Sequence, residues 1–80
     1  MEIEIDPHGK TPAYQQLAEQ IRQAIAAGEY GPREAIPSLK QLAGQTGLAV
    51  GTIQHAIKLL EDDGLVYTVS GRGTFVTPPA

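Results

Sequence analysis

Thr52, Gln54, His55 and Lys58 carry polar or charged groups within two helical turns of one another, with Gly51 beside them. Hydrogen bonding to nucleic acid is the chemistry such a set can do. A glutamine amide has the donor–acceptor pair that reads adenine bidentately, and a threonine can contact a phosphate or a thymine methyl. A glycine lets another backbone approach closely. Ile53, Ala56, Ile57 and Leu60 recur at i, i+3, i+4 and i+7, the spacing of one buried helical stripe. Gly51, Thr52, Gln54, His55 and Lys58 are then left facing outward. An ordinary solvated helix presents a similar face, so these residues alone leave both readings open.

A second candidate contact is Ser70-Gly71-Arg72-Gly73, one cation between two glycines. A compact tip with a single arginine suits a narrow minor groove, where negative potential is focused. The same residues also make a plain tight turn with a solubilising arginine. Glu61-Asp62-Asp63 sits at the helix end that disfavours acids, at a cost of about 0.3–1 kcal/mol. It reads as a solvated helix end, far from the groove if the N-terminus leads.

Catalytic groupings are not apparent. His8 and His55 are the only histidines and have no metal-site spacing, and Gly71-Arg72-Gly73 lacks the strand-to-helix context of a phosphate loop. No enzyme activity, cofactor or metal is expected.

The elements that must position these residues are legible from periodicity and punctuation. Residues 1–11 form an arm whose alternating Glu2-Ile3-Glu4-Ile5-Asp6 suits a short edge strand, broken by Pro7-His8-Gly9. Thr11 as N-cap and Pro12 at the first helical position open a helix over 12–27, with Tyr14, Leu17, Ala18, Ile21 and Ile25 as its apolar stripe. After a Gly- and Pro-rich turn, Ala35-Ile36 is long enough only for a bridge-like strand. Ser38 and Gln41 form a capping box for a helix over 39–45, with Leu39, Leu42 and Ala43 buried. Thr46-Gly47-Leu48 is a tight connector, a third helix covers 50–62, and Gly64 stops it. Residues 65–69 and 73–77 then alternate with period 2 around Ser70-Gly71-Arg72, a hairpin. The fold class is mainly α with a small β-hairpin: a winged helix-turn-helix over 12–77, with 78–80 a tail or the start of a linker.

Composition bounds the function. Eighty residues, 41% hydrophobic, make one small domain, and the lack of cysteine excludes disulfides and thiolate metal sites. No apolar run approaches the roughly 20 residues of a membrane span, and residues 1–6 are no secretory signal, so a soluble, cytoplasmic protein is expected. The net charge of −3 opposes DNA binding. Six of the nine acids, however, lie in the arm and the 61–63 cluster, and the remainder of the chain is net basic.

In order and spacing the chain resembles the DNA-binding domain of the GntR family of bacterial regulators. The pieces are Pro12-Ala13-Tyr14-Gln15-Gln16-Leu17, Ile36-Pro37-Ser38, Gln41-Leu42-Ala43, Thr52-Ile53 with Ala56-Ile57, Leu60-Glu61 through Gly64-Leu65, and Gly71-Arg72-Gly73-Thr74-Phe75-Val76. The opening and the wing look most like the histidine-utilisation-repressor and YtrA-type subgroups. The resemblance implies a transcription regulator, most often a repressor, that binds a two-fold duplex-DNA operator as a homodimer. It places the third helix in the major groove and the wing at the minor groove, with a C-terminal effector-binding domain usual in the family. The DNA-contact set it implies is Ser38, Lys40, Val50, Gly51, Thr52, Gln54, His55, Lys58, Gly71, Arg72 and Gly73. Departures stand at Lys40, Val50 and Gln54, where the family usually has arginine, and at Ala49, where a serine cap is common. The alternative is a winged-helix protein–protein or dimerisation module with weak or lost DNA binding.

Overall fold

The computed structural model describes residues 1–79, and Ala80, the last position of the expected tail, lies outside the described residues. The elements are α1 (Ala13–Ala26), α2 (Leu39–Thr46), α3 (Val50–Asp62), β1 (Val66–Val69) and β2 (Gly73–Val76). This is the expected winged helix-turn-helix. Among the described residues, no helix is long and apolar enough to cross a membrane.

α1 begins one residue later than expected because Pro12, not Thr11, is the N-cap. Pro12 keeps an extended ψ of 148°, and its carbonyl accepts from the Gln15 and Gln16 N–H groups at 3.0 and 3.1 Å. The Thr11 side chain makes no cap bond. α2 opens on the expected capping box: Ser38 Oγ accepts from the Gln41 N–H at 3.1 Å, and Gln41 Oε1 accepts from the Ser38 N–H at 2.9 Å. Two orphan donors are satisfied reciprocally, which starts an eight-residue helix that could not stand alone.

The core is made where these helices cross. Leu17 and Ile21 of α1, Leu42 of α2, and Ile53 and Leu60 of α3 are all essentially inaccessible. Burying each such side chain stabilises the fold by about 1.5–3 kcal/mol. All four residues of the α3 stripe are buried, as their spacing requires. Elsewhere the stripes are narrower or shifted. Ala24 replaces Tyr14 and Ile25 as a fully buried α1 residue, and in α2 Leu39 and Ala43 are only half-buried.

Gly64 turns the chain from α3 into the wing. At φ 75° it donates to the Glu61 carbonyl at 2.9 Å while Leu65 donates to Leu60 at 3.0 Å, the paired bonds of a Schellman cap. β1 and β2 pair antiparallel, with Val66 opposite Val76 and Val69 opposite Gly73. Val66 and Val76 close the core from below. The short bridge expected at Ala35 forms against Phe75, with the Ile36 N–H donating to Thr74 at 2.9 Å. The loop after α1 thereby holds the wing from its outer edge.

The arm is extended but is not a strand. Ile3 and Ile5 pack on the core while Glu2, Glu4 and Asp6 are exposed, so the alternation is real. Its backbone, however, is partnered by the side-chain amides of Gln16 and Gln20 rather than by another strand.

Candidate nucleic-acid interface

α3 presents the residues expected of it. Gly51, Gln54, His55 and Lys58 are exposed and Thr52 is half-buried. Consecutive helical positions point about 100° apart. Gln54 and His55 therefore lie on opposite sides of the outward line through Gly51 and Lys58. A Cβ added at Gly51 would meet nothing within 4 Å among the described residues, so their packing does not demand the glycine.

The N-terminus of α3 is open. Ala49 has the extended backbone of an N-cap but no side chain to bond with. Thr52 and Ile53 donate to the Ala49 carbonyl at 3.0 and 3.1 Å, leaving the Val50 and Gly51 N–H groups without an acceptor among the described residues. Free N–H groups at the positive end of a helix favour an anion. Beside them Val50, 48% exposed, covers nothing and carries no charge.

On the Gln54 side, α3 and the wing enclose a groove of about 330 Å³. Gln54, Lys58 and Glu61 line it from α3, with Leu39 from α2 and Thr68 and Thr74 from the wing. The two threonine hydroxyls lie 3.4 Å apart across the strands. Sequence reasoning missed Thr68 and Thr74. Their signal was the period-2 alternation itself, which puts them on the face of Val66 and Val76.

On the other side, the His55 ring stacks on Tyr14 of α1, with centroids 3.7 Å apart and planes 8° from parallel. Spacing alone puts Tyr14 in the inward stripe of α1. It stands instead at the stripe's edge, half-buried, and covers an outward residue of α3.

The charges sort themselves by pairing. Lys58 Nζ lies 3.0 Å from Asp62 Oδ1, and this bond first of all raises its pKa above the ordinary lysine value. Arg22 holds Asp63 at 2.6 Å and Glu19 at 3.4 Å, and its pKa too is raised, chiefly by the Asp63 bond. The acidic cluster is thus not simply solvated. Asp62 and Asp63 each occupy a cation, and Asp63 ties the end of α3 to α1. Lys40 and Arg72 make no ion pair among the described residues. Lys40 is exposed on α2, and Arg72 is exposed at the wing tip.

Local folding explains several members of the set. Ser38 is the α2 cap. Gly71 and Gly73, at φ 76° and 127°, let a three-residue loop close the wing, and the Arg72 N–H donates to Val69 at 3.0 Å. The arginine side chain is the part of the tip the turn does not need.

The sequence pattern of the bacterial regulatory proteins of the gntR family matches residues 13–76. The chain belongs to the GntR family. Among its relatives is the transcriptional repressor YtrA of Bacillus subtilis, 35% identical over 78 residues, which cover 98% of this chain and 60% of that protein. The histidine utilization repressor of Klebsiella aerogenes is 37% identical over 68 residues, 85% of this chain and 28% of that protein. This GntR-family chain therefore spans less than two thirds of the length of either relative. Among solved structures, the GntR-family transcription factor YtrA from Sulfolobus acidocaldarius superposes with a TM-score of 0.89 at 36% identity, over 100% of this chain and 84% of that one. The DNA-binding domain of AraR, solved with operator ORX1, gives a TM-score of 0.87 at 35% identity, over 96% of this chain and 99% of that one.

Proposed function

We propose that this chain is a sequence-specific duplex-DNA-binding domain of a bacterial transcription regulator, acting as a repressor in the cytoplasm and catalysing nothing. The observation that carries this reading is the α3 surface. Its free N-terminus and polar face belong to the same fold as Lys40 on α2 and Arg72 at the wing tip, both exposed and without an ion pair among the described residues, and that fold matches a domain solved on its operator. In a helix-turn-helix the second helix of the motif enters the major groove N-terminus first. Thr52, Gln54 and His55 then reach base edges, Gly51 lets the helix backbone come close, and Ser38, Lys40 and the α3 N-terminus take phosphates. Lys58 can join them by exchanging Asp62 for a phosphate. Gly71, Arg72 and Gly73 approach the minor groove.

Val50 and Gln54 stand where an arginine is usual, so fewer phosphates are neutralised and Gln54 carries more of the base reading. Two-fold symmetry of the operator and pairing of two copies on it follow from the family's habit, as does an effector-binding domain C-terminal to this one.

The test is selection of bound duplexes from a randomised pool at low salt, followed by titration of the selected site at rising salt. A palindrome should be enriched, and its affinity should fall by a log–log slope of about 0.9 per neutralised phosphate. A folded domain that enriches no duplex would overturn the reading and point to a protein partner.

A further inference from the structure

The Tyr14–His55 stack joins the N-terminal turn of α1 to the reading face of α3. The Tyr14 hydroxyl accepts from Gln15 Nε2 at 3.1 Å. His55 is exposed, with one ring face covered by the tyrosine at 3.7 Å and 8°. A solvent-facing imidazole on a helix normally samples several rotamers. A ring laid flat on an aromatic partner that packs against the core is restricted in the orientations it can adopt. Beyond its own area, an aromatic pair changes an equilibrium by about two- to tenfold.

We propose that Tyr14 is a positioning residue for base recognition: by fixing the His55 ring it determines which base pair His55 reads and how sharply. The proposal rests on the DNA-binding reading above and deepens it. Tyr14 itself need touch no base. Its contribution is that the ordering of His55 is already complete before DNA arrives, so recognition no longer has to supply it.

The experiment measures Kd for the selected duplex and for duplexes changed at each base pair in turn, using the wild type, Tyr14→Leu, Tyr14→Phe, His55→Ala and the Tyr14→Leu/His55→Ala double variant. Tyr14 is half-buried, so its removal can lower the folded fraction. That fraction cancels in the ratio of Kd between two duplexes, and discrimination is therefore the readout. His55→Ala should flatten discrimination at one base pair. Tyr14→Leu should lose about two- to tenfold of it at the same base pair. The double variant should be no worse than His55→Ala, and Tyr14→Phe should restore the wild-type ratio. Unchanged discrimination in Tyr14→Leu would overturn the proposal, as would independent losses that multiply in the double variant. A uniform loss over all duplexes would overturn it too, placing the pair on the phosphate backbone. A wild type that selects no duplex would instead bring down the DNA-binding reading, and this proposal with it.

Discussion

The Gln20 side chain makes to Glu4 both hydrogen bonds that a neighbouring strand would make. The Glu4 N–H donates to Gln20 Oε1 at 2.9 Å, and Gln20 Nε2 donates back to the Glu4 carbonyl. Gln16 repeats the pattern one turn earlier. Its Oε1 accepts from the Asp6 N–H at 2.8 Å, and its Nε2 donates to the Asp6 and Thr11 carbonyls at 2.9 and 2.7 Å. The match is geometric: four residues of helix advance about 6 Å, and two residues of extended chain about 6.6 Å. Replacing both glutamines by alanine should release the arm. Amide exchange at Glu4 and Asp6 should accelerate, and stability should fall by about 1–3 kcal/mol. Unchanged protection at these two amides would show that Ile3 and Ile5 alone hold the arm.

That clamp also shows where sequence reading stops. Alternation in residues 1–6 correctly signals an extended chain with one buried face. It cannot name the partner, because an amide side chain one helix away leaves no periodic mark. α3 was legible to its ends because its stripe, its N-terminal connector and Gly64 all agree. The α1 start shifts by one residue because Thr11 and Pro12 are both acceptable caps. At the site, outward direction on α3 was readable, but pairing across elements was not. Tyr14 on His55 and Arg22 on Asp63 each join residues 41 apart in the chain, and no local pattern encodes such contacts.

Ala49 has φ −64° and ψ 149°, the backbone of an N-cap without the oxygen that makes one useful. Ala49→Ser should satisfy a first-turn N–H and stabilise the domain by about 0.5–2 kcal/mol. Each kcal/mol raises the melting temperature by roughly 4–8 °C in a domain of this size. A melting temperature that does not rise would mean that the introduced hydroxyl faces water. A gain in stability with weaker DNA binding would mean that phosphate competes for the same N–H groups.

Among the described residues, Arg33 is the one non-glycine with a positive φ, at 67°. A side chain there costs about 1–2 kcal/mol, partly offset by the greater freedom of glycine in the unfolded chain. The Arg33 N–H donates to Val76 at 2.8 Å, a bond glycine retains. Arg33→Gly should therefore stabilise the domain by about 0.5–1 kcal/mol net. Urea denaturation with an unchanged slope and a higher midpoint is the expected result. A lower midpoint would show that the guanidinium contributes more than its backbone costs.

Burial, with a smaller contribution from Glu29, raises the Tyr30 pKa above its ordinary value of 10.0. The folded state thus favours the neutral phenol. Its stabilising contribution is complete below about pH 10 and is lost as pH rises through the folded value. The wild type should lose stability above pH 10 faster than Tyr30→Phe, and the two should run parallel below it. Parallel curves across the whole range would place the hydroxyl in water.

Arg72 is exposed at the tip of a turn whose geometry depends on its glycines, not on it. Arg72→Ala should therefore leave the stability within about 0.5 kcal/mol of the wild type. Gly71→Ala, forced to φ 76°, should cost about 1–2 kcal/mol and distort the wing. On DNA the order reverses in kind: Arg72→Ala should bind more weakly with its fold intact, and its log–log salt slope should shrink by about 0.9 if the guanidinium neutralises one phosphate. An arginine that instead reads a narrow minor groove would lose affinity chiefly on A·T-rich flanks. Unchanged affinity on every flank and at every salt concentration would leave the wing without a DNA contact and put the whole interface on α2 and α3.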